Sequence, residues 1–304
     1  MPTGVEADGS AGVFLATIGE RAYSPERSSF LLVFRNLIRF FHHGSRPWFG
    51  SCHRHRRRLE HRAWIVHACG RGCAHPDRRS GSRPDRPGGA RALDRGAAQV
   101  ESIAVDVTSE GAGTAIVGAA IGHFGAVDVL VNNIGWSVPA FFKATDATEW
   151  QKTFDLNLMS AFVCTHAVLE PMQRAGRGSI VFISSDAAFG TVRTATYGAA
   201  KAGLIAFART IAREHGRDGI RANVVCPGVV LPEEGAIGAG SLWDGGREAI
   251  FNDAQLDNIR HSIPLRRLTN AADIANAVLF FASETMGRQL TGQVVSVSGG
   301  FAMP

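Results

Sequence analysis

Residues 178–228 read "GSIVFISSDAAFGTVRTATYGAAKAGLIAFARTIAREHGRDGIRANVVCPG", and this stretch decides the fold. The apolar run at 178–185 predicts a strand, the Ala-rich segment 195–216 predicts a helix, and the apolar run at 219–228 predicts a second strand. Both strand candidates are almost continuously apolar, as is typical of strands covered on both faces. A strand, a helix and a strand in this order indicate a parallel sheet with helices packed against it.

The same alternation extends over the second two thirds of the chain. Further strand candidates lie at 102–107, 127–133 and 292–300, and further helix candidates at 109–123, 147–174 and 270–284. The region 229–265 predicts an irregular excursion near an active site. Upstream of about residue 95 the alternation is absent, and only "AWIVHACG" at 63–70 resembles a strand. We therefore divide the chain into a leader of unknown structure at 1–47, an anomalous segment at 48–95 and one α/β domain at 96–304.

Composition restricts the class of protein. The chain has 304 residues and 45% apolar content, enough for a large buried core and too much for a disordered protein. The apolar stretch "FLLVFRNLIRFF" at 30–41 contains Arg35 and Arg39 and is too short to span a bilayer, although it could form an amphipathic helix at a membrane surface. The five cysteines do not suggest a disulfide framework. We expect a cytoplasmic protein without a membrane partner.

Positive charge is concentrated in one segment. Residues 51–95 hold twelve arginines against four acidic residues, an excess larger than the net charge of +5 of the whole chain. The rest of the chain is therefore slightly acidic. The global charge does not predict a nucleic-acid partner for the α/β domain.

The residues with the clearest chemical meaning are Tyr197 and Lys201. Their spacing of four residues on a predicted helix puts both side chains on one face, one turn apart. An ammonium beside a phenol favours the phenolate, so we expect Lys201 to lower the pKa of Tyr197. Ser184 and Ser185, which end the preceding strand, could supply a hydroxyl to the same substrate oxygen, although they could equally cap the strand end.

Several motifs in order resemble the classical short-chain dehydrogenase/reductase family over roughly residues 97–304. They are "DVT" at 106–108, "NNIG" at 132–135, Asn157 in "FDLNLMSAF", the Tyr197/Lys201 pair and "CPG" at 226–228. The resemblance implies a Rossmann-type doubly wound parallel sheet whose first β-α-β unit, at about 48–95, is scrambled or replaced. It also implies reversible hydride transfer between a nicotinamide cofactor, NAD or NADP, and a secondary alcohol or ketone.

The resemblance assigns roles to individual residues. Tyr197 would be the general acid/base, Lys201 would bind the nicotinamide ribose, Ser185 would hold the substrate oxygen, and Asn157 would position a proton-relay water. Without the resemblance, Asn157 could be a buried polar group satisfied by backbone, and Asn132 and Asn133 could form a turn. The remaining positions implied to bind the cofactor are Asp106, Val107, Asn132, Asn133, Gly135, Pro227, Gly228 and Val230.

The resemblance says less about substrate and assembly. "SSDAA" and "SVSGGFAM" are similar to dehydrogenases of cyclic hydroxyacyl-CoA compounds, such as 2-hydroxycyclohexanecarboxyl-CoA dehydrogenase, and to 3-oxoacyl-carrier-protein reductases. We expect a small-molecule substrate, no metal and a homotetramer built through the helices near 147–174 and 195–216. Pro232 stands where many relatives have a threonine that bonds the nicotinamide carboxamide, and proline cannot make that bond.

One expected motif is missing. The family opens with a strand and a glycine-rich turn that lets a pyrophosphate approach a helix N-terminus. Counting back from Asp106 places that turn at "HRHRRR", 53–58, where there is no glycine. Histidine is encoded by CAY codons, and we take the arginines to be encoded by CGN codons. If the reading frame of this stretch is shifted by one base, the same DNA can encode Thr-Gly-Thr-Gly-Gly. A frameshift that ends near Ala97 would therefore explain the Arg and His bias.

Two alternatives to a frameshift remain open for residues 48–95. In the first, the segment is a binding module in which arginines contact phosphates, or in which the Cys and His residues at 52, 53, 55, 61, 67, 69, 73 and 75 ligate zinc. No C-x-x-C pair supports that arrangement. In the second, it is a divergent leader on a truncated enzyme domain, or the whole chain is a non-catalytic remnant.

Overall fold

The computed structural model describes residues 12–17, 64–67, 99–231 and 251–304. In these ranges seven strands form one parallel sheet in the order β3-β1-β2-β4-β5-β6-β7. The strands are β1 (Gly12–Thr17), β2 (Trp64–His67), β3 (Gln99–Ala104), β4 (Val129–Asn132), β5 (Gly178–Ile183), β6 (Ile220–Pro227) and β7 (Val294–Val297). The parallel α/β architecture predicted from sequence is confirmed.

Six α-helices accompany the sheet in the described ranges. They are α1 (Ala112–Phe124), α2 (Ala147–Phe154), α3 (Ser160–Ala175), α4 (Ala195–His215), α5 (Asp253–Ser262) and α6 (Ala271–Ala282). A π-helical turn, Asp155–Met159, joins α2 to α3, and short 3₁₀ turns occupy Phe142–Ala144, Asp186–Phe189 and Gly216–Asp218. The predicted helix at 147–174 is therefore two α-helices joined by a wider turn.

Three elements differ from the sequence prediction. The strand β1 was not predicted, although "GVFLAT" is apolar, because no neighbouring periodicity supported it. Helix α5 lies inside the region expected to be irregular, and it begins with a capping box between Asn252 and Gln255. Strand β3 ends three residues early because the Asp106 carboxylate accepts hydrogen bonds from the main chain and hydroxyl of Thr108 and turns the chain there.

Successive residues of the central strands pack into two cores on opposite faces of the sheet. Leu130, Ile180, Phe182 and Val224 belong to a cluster that also contains apolar side chains of α1, α3 and α4. Their neighbours Val129, Val131, Val181 and Val225 belong to a second cluster with Ile274 and Val278 of α6. The period-two alternation of a strand thus serves both faces, which explains why β4, β5 and β6 are continuously apolar.

The sheet topology brings the chemically interesting segments to one edge. Because all strands are parallel, the residues that follow β3, β4, β5 and β6 meet at the carboxyl edge, where open α/β sheets bind ligands. In the described part of the chain, no helix combines the length and apolar character needed to cross a membrane. The same residues contain no cluster of His, Cys, Asp and Glu side chains suited to a metal ion.

The anomalous segment falls almost entirely outside the described residues. Of the Cys and His residues considered as zinc ligands, only His67 is included, at the end of β2. The short strand Trp64–His67 confirms the one strand predicted upstream of residue 95, and it pairs with β4. The frameshift, the leader and the domain boundaries remain predictions.

Candidate active site

Helix α4 places Tyr197 and Lys201 in the interior at the carboxyl edge of the sheet. Tyr197 is 9% exposed and Lys201 only 1%. The helix approaches the 3₁₀ turn Asp186–Phe189 so closely that a Cβ on Gly198 would lie 2.5 Å from the Ala187 carbonyl oxygen. Glycine beside Tyr197 therefore permits the contact between the helix and the turn after β5.

The buried ammonium of Lys201 has two main-chain acceptors. Its Nζ donates to the carbonyl oxygen of Ile134 at 3.0 Å and to that of Ile183 at 2.9 Å. These carbonyls lie just beyond β4 and at the end of β5, so Lys201 ties together two neighbouring strand ends. Nζ lies 5.7 Å from the centre of the Tyr197 ring.

The expectation that Lys201 lowers the pKa of Tyr197 is wrong for this arrangement. Burial raises the pKa of Tyr197 to about 12, and a hydrogen bond from the Ser185 side chain opposes this only in part. Burial also lowers the pKa of Lys201 to about 7. Both shifts have the same physical cause, since each charged form loses solvation in the interior. At neutral pH Tyr197 is a protonated phenol.

The two serines at the end of β5 have different partners. The Ser184 hydroxyl is buried and donates to the main-chain carbonyl of Lys201 at 2.7 Å. The Ser185 hydroxyl accepts from the main-chain N–H of Ala187 at 3.1 Å, and it lies near enough to Tyr197 to lower the pKa of that phenol in part. Of the two serines, Ser185 is the one that acts on the Tyr197 side chain.

Asn157 occupies the middle of the π-helical turn and is 1% exposed. Its Nδ2 donates to the carbonyls of Trp136 and Thr153, both at 2.8 Å, and its Oδ1 accepts from the main-chain N–H of Trp136 at 3.1 Å. The amide thus holds the loop that follows β4. These bonds match the interpretation of Asn157 as a buried group satisfied by backbone, and its role toward a water stays a prediction.

The residues after β4 are buried at the same edge. Asn132 donates from Nδ2 to the Thr165 hydroxyl at 3.2 Å, whereas its Oδ1 is buried and has no hydrogen-bond partner among the described residues. Asn133 and Gly135 are buried next to it. This segment runs directly into Trp136, whose main chain Asn157 holds.

The other predicted cofactor positions flank these residues. Asp106 lies two residues after the end of β3 and is engaged with Thr108, while the Val107 side chain lies in the core, 2% exposed. Pro227 ends β6, the N–H of Gly228 donates to the Val297 carbonyl at 3.2 Å, and Val230 forms a bridge with Thr269. Pro232 lies outside the described residues.

A small cleft, with an internal volume of about 10 Å³, opens beside Tyr197. Its walls come from the loop after β4, from α2 and from the segment that enters α4, including Ser137, Thr153 and Arg193. The Arg193 guanidinium donates to the Pro139 carbonyl at 3.1 Å, and the Arg193 carbonyl accepts from Ala140 at 2.9 Å, which joins two of the walls. Several apolar side chains around this region are exposed, namely Val138, Phe141, Phe142, Phe189 and Val192.

Asp186 lies at the site although no sequence motif indicated a role for it. It follows Ser185 in the chain, is 6% exposed, and accepts a hydrogen bond from the Ser296 hydroxyl of β7 at 2.9 Å. A charged residue directly after Ser185 was a signal in the sequence, but its partner lies 110 residues away. Only the folded sheet brings the two together.

Comparison with known proteins identifies the family. The family model described as "Enoyl-(Acyl carrier protein) reductase" matches residues 84–302, more than half of the chain. The chain belongs to the short-chain dehydrogenase/reductase family. It is 36% identical over 205 residues to acetoacetyl-CoA reductase of an Acinetobacter species, covering 67% of this chain and 77% of that protein.

Two further matches agree with this assignment. The 3-oxoacyl-[acyl-carrier-protein] reductase of Staphylococcus epidermidis is 35% identical over 184 residues, covering 60% of this chain and 70% of that protein. A crystal structure of a short-chain dehydrogenase/reductase from Burkholderia thailandensis superposes with a TM-score of 0.65 at 28% identity. That superposition covers 95% of this chain and 92% of the other. By family the chain is an NAD(P)-dependent oxidoreductase with a small-molecule substrate.

The residues at the carboxyl edge fit the nicotinamide half of such a cofactor. The Lys201 ammonium can donate a hydrogen bond to a ribose hydroxyl. The Oδ1 of Asn132 is a buried acceptor that has no partner among the described residues. The predicted place of the pyrophosphate turn, 53–58, lies outside the described residues.

Proposed function

We propose that the chain reduces the ketone of an acyl thioester to a secondary alcohol and catalyses the reverse oxidation. The nearness of the Ser185 hydroxyl to Tyr197 at the carboxyl edge carries the proposal, because the interaction between the two side chains that opposes the rise of the Tyr197 pKa requires their hydroxyl groups to lie in one region. Both relatives named above are reductases whose names specify a thioester of coenzyme A or of acyl carrier protein.

In the proposed reaction Tyr197 supplies the proton. In the direction of reduction, the phenol O–H gives its proton to the carbonyl oxygen as that oxygen gains negative charge, and Ser185 donates a hydrogen bond to the same oxygen. A phenol whose pKa burial raises to about 12 is fully protonated at neutral pH, so Tyr197 carries the proton that the reduction requires. The bound nicotinamide supplies the hydride in reduction and accepts it in oxidation.

The other residues position the reactants. Lys201 holds two strand ends through its ammonium and would present its remaining donor capacity to the nicotinamide ribose. Asn157 fixes the loop after β4, which forms one wall of the cleft. Asp106, Val107, Asn132, Asn133, Gly135, Pro227, Gly228 and Val230 would line the cofactor along the carboxyl edge.

The chemistry around the cleft favours an apolar acyl group. Phe141 and Phe142 are 65% and 55% exposed, and Val192 is 74% exposed. Of these, Phe142 lines the cleft, as does the exposed Val138, and exposed apolar side chains gain free energy when a hydrocarbon chain or ring covers them. A linear or cyclic acyl thioester would supply that surface. A cytoplasmic location and a homotetramer are part of the same proposal.

Purified chain tests the proposal directly. NADH and NADPH oxidation should be followed with acetoacetyl-CoA, and NAD⁺ and NADP⁺ reduction with 3-hydroxybutyryl-CoA and 2-hydroxycyclohexanecarboxyl-CoA. Free acetoacetate, which lacks the thioester, is the matched control. Turnover of a thioester well above the control supports the proposal, and equal rates argue against thioester recognition. Gel filtration under the same conditions reports the oligomeric state.

The alternative function is that of a non-catalytic remnant of the family. It is favoured by one sequence observation, the missing glycine-rich turn. Dinucleotide binding separates the two, because fluorescence titration of NADH and NADPH needs no substrate. A chain that binds neither nucleotide is the remnant.

A further inference from the structure

Asp186 is a buried carboxyl group with no role in the reaction proposed above. It begins the 3₁₀ turn Asp186–Phe189, directly after Ser185, and only 6% of it is exposed. No ion pair compensates it within the described ranges. Burying a carboxyl without a cation is costly, so its retention beside the reacting hydroxyls calls for a physical reason.

The carboxyl group of Asp186 is held by β7. Oδ1 accepts from the Ser296 hydroxyl of β7 at 2.9 Å, and Ser296 and Ser298 share a hydrogen bond of 2.7 Å. Oδ2 is buried without a hydrogen-bond partner among the described residues, close to Gly228 just after β6, where it lies 3.5 Å from the place that a Cβ would take. The hydrogen bond to Ser296 therefore ties the turn to β7.

Ser185 is held by the same turn. Its hydroxyl accepts from the N–H of Ala187, and the carbonyl of Ala187 packs so closely on α4 that a Cβ on Gly198, next to Tyr197, would lie 2.5 Å from it. Any movement of the turn away from β7 would therefore change the separation between Ser185 and Tyr197. A displacement of about 1 Å at a reacting group can cost roughly 100-fold in rate.

We propose that Asp186 is a positioning residue that sets the place of the Ser185 hydroxyl relative to Tyr197 by anchoring the turn that holds Ser185 to Ser296 of β7. The effect of Asp186 on catalysis rests on the function proposed above. The anchor itself is a property of the fold, and it can be tested without turnover.

The anchor depends on pH. Burial raises the pKa of Asp186 to about 6, against the opposing hydrogen bonds of Ser296 and Ser298. Among the described residues the titratable groups nearby are the thiol of Cys226 on β6, whose pKa burial raises to about 11, and Lys201 on α4, which acts on Cys226. A carboxylate accepts a hydrogen bond more strongly than a neutral carboxyl, so the anchor tightens as the pH rises through about 6.

The sequence provides a probe of Tyr197. The chain has two tyrosines, Tyr23 and Tyr197, so carbon-13 labelling of the tyrosine Cζ gives two NMR resonances, and Tyr23→Phe assigns them. The Cζ shift of Tyr197 reports the polar surroundings of its hydroxyl. Ser185→Ala defines the shift caused by complete loss of the Ser185 hydroxyl. Asp186→Asn and Ser296→Ala should move the Tyr197 resonance in the same direction, and Asp218→Asn, at the opposite edge of the sheet, should not.

The pH dependence gives a second readout that a merely structural role would not move. Between about pH 5 and about pH 7.5 the wild-type Tyr197 resonance should shift with a component near pH 6. Asp186→Asn should remove that component and leave any contribution from Lys201. If Asp186→Asn and Ser296→Ala leave the resonance and its pH profile as in the wild type, the proposal is overturned. If Asp186→Asn does not fold, Ser296→Ala decides the matter alone.

Kinetics then connect the anchor to the reaction. Asp186→Asn should lower kcat by between about 10-fold and about 100-fold and leave KM for the thioester nearly unchanged. A larger change in KM than in kcat would contradict positioning. A wild-type chain that binds no dinucleotide would refute the proposed function, whereas the Tyr197 resonance would still show whether Asp186 holds Ser185 in place.

Discussion

The Ser184 hydroxyl donates to the main-chain carbonyl of Lys201 at 2.7 Å, which commits the first serine of the pair to the backbone of helix α4. Ser185, one residue later, lies near enough to Tyr197 to act on the pKa of that phenol. Two adjacent serines thus have separable tasks, and substitution can separate them.

Ser185→Ala should lower kcat by about 100-fold, as loss of one hydroxyl donor to a developing oxyanion does, with little change in thermal stability. Ser184→Ala should instead cost about 1 kcal/mol of unfolding free energy, because it removes a buried hydrogen bond to the Lys201 carbonyl. Steady-state kinetics and denaturant unfolding on both variants make each the control of the other. The assignment fails if the two variants exchange phenotypes.

Tyr197→Phe should abolish proton transfer and keep the packing of the ring. We expect kcat to fall by about 100-fold to 10,000-fold, the usual contribution of a general acid. Affinity for NADH or NADPH, measured by fluorescence titration, should stay within a factor of about two because the ring remains. Full activity in the phenylalanine variant would remove Tyr197 from the chemistry.

Gly198→Ala should damage the site through the backbone. A Cβ at this position would lie 2.5 Å from the Ala187 carbonyl, so either α4 or the turn after β5 must move. We expect a loss of about 1–3 kcal/mol of stability, typical of overpacking, together with a loss of activity. Gly118→Ala on α1 is the matched control, since a Cβ there meets nothing within 4 Å and should stabilise the helix slightly.

The stability of the fold should depend on Asp186 between about pH 4 and about pH 6. Its folded pKa of about 6 lies above the ordinary value of 3.8, so the folded state holds more protons in this window. The free energy of unfolding therefore falls as the pH rises through it, by an amount on the order of 1–3 kcal/mol. Asp186→Asn should flatten this part of the profile, which chemical denaturation at several pH values measures. An unchanged slope would mean that the carboxyl titrates normally.

The frameshift hypothesis makes a prediction about the DNA that encodes residues 40–100. Sequencing codons 40–100 from the source should show that one inserted or lost base restores a glycine-rich turn followed by a helix. The restored chain should then bind a dinucleotide more tightly than the present one, because backbone N–H groups would face the pyrophosphate. Stop codons in the neighbouring frame would exclude the hypothesis.

The sequence predicted more of the fold than of the geometry of the site. Strands β4, β5 and β6 were predictable because both their faces are buried, which gives continuous apolar runs. Strand β1 lacked such support, and α5 was hidden in a segment without apolar periodicity. At the site, the spacing of Tyr197 and Lys201 indicated that both lie on one face of a helix. Their deep burial, which raises the pKa of Tyr197 and lowers that of Lys201, depends on all the elements packed around them.

Asp186 shows the limit most clearly. Its place beside Ser185 was visible in the sequence, but its role depends on Ser296, which only the parallel pairing of β6 with β7 brings near. Local patterns predict elements and their faces. Hydrogen bonds between residues far apart in sequence require the topology.

The π-helical turn Asp155–Met159 has a consequence for how the chain tolerates insertions and deletions. Inserting one residue into a regular α-helix produces a π-helical turn. Each residue of an α-helix advances the chain by about 100° around the helix axis. The side chain of Asn157 donates to the Thr153 carbonyl, the acceptor that the main-chain N–H of residue 157 would use in a regular α-helix. Deleting one residue here would yield a continuous helix, but it would turn α3 by about a quarter of a revolution relative to α2. One extra residue thus sets the alignment of two helices.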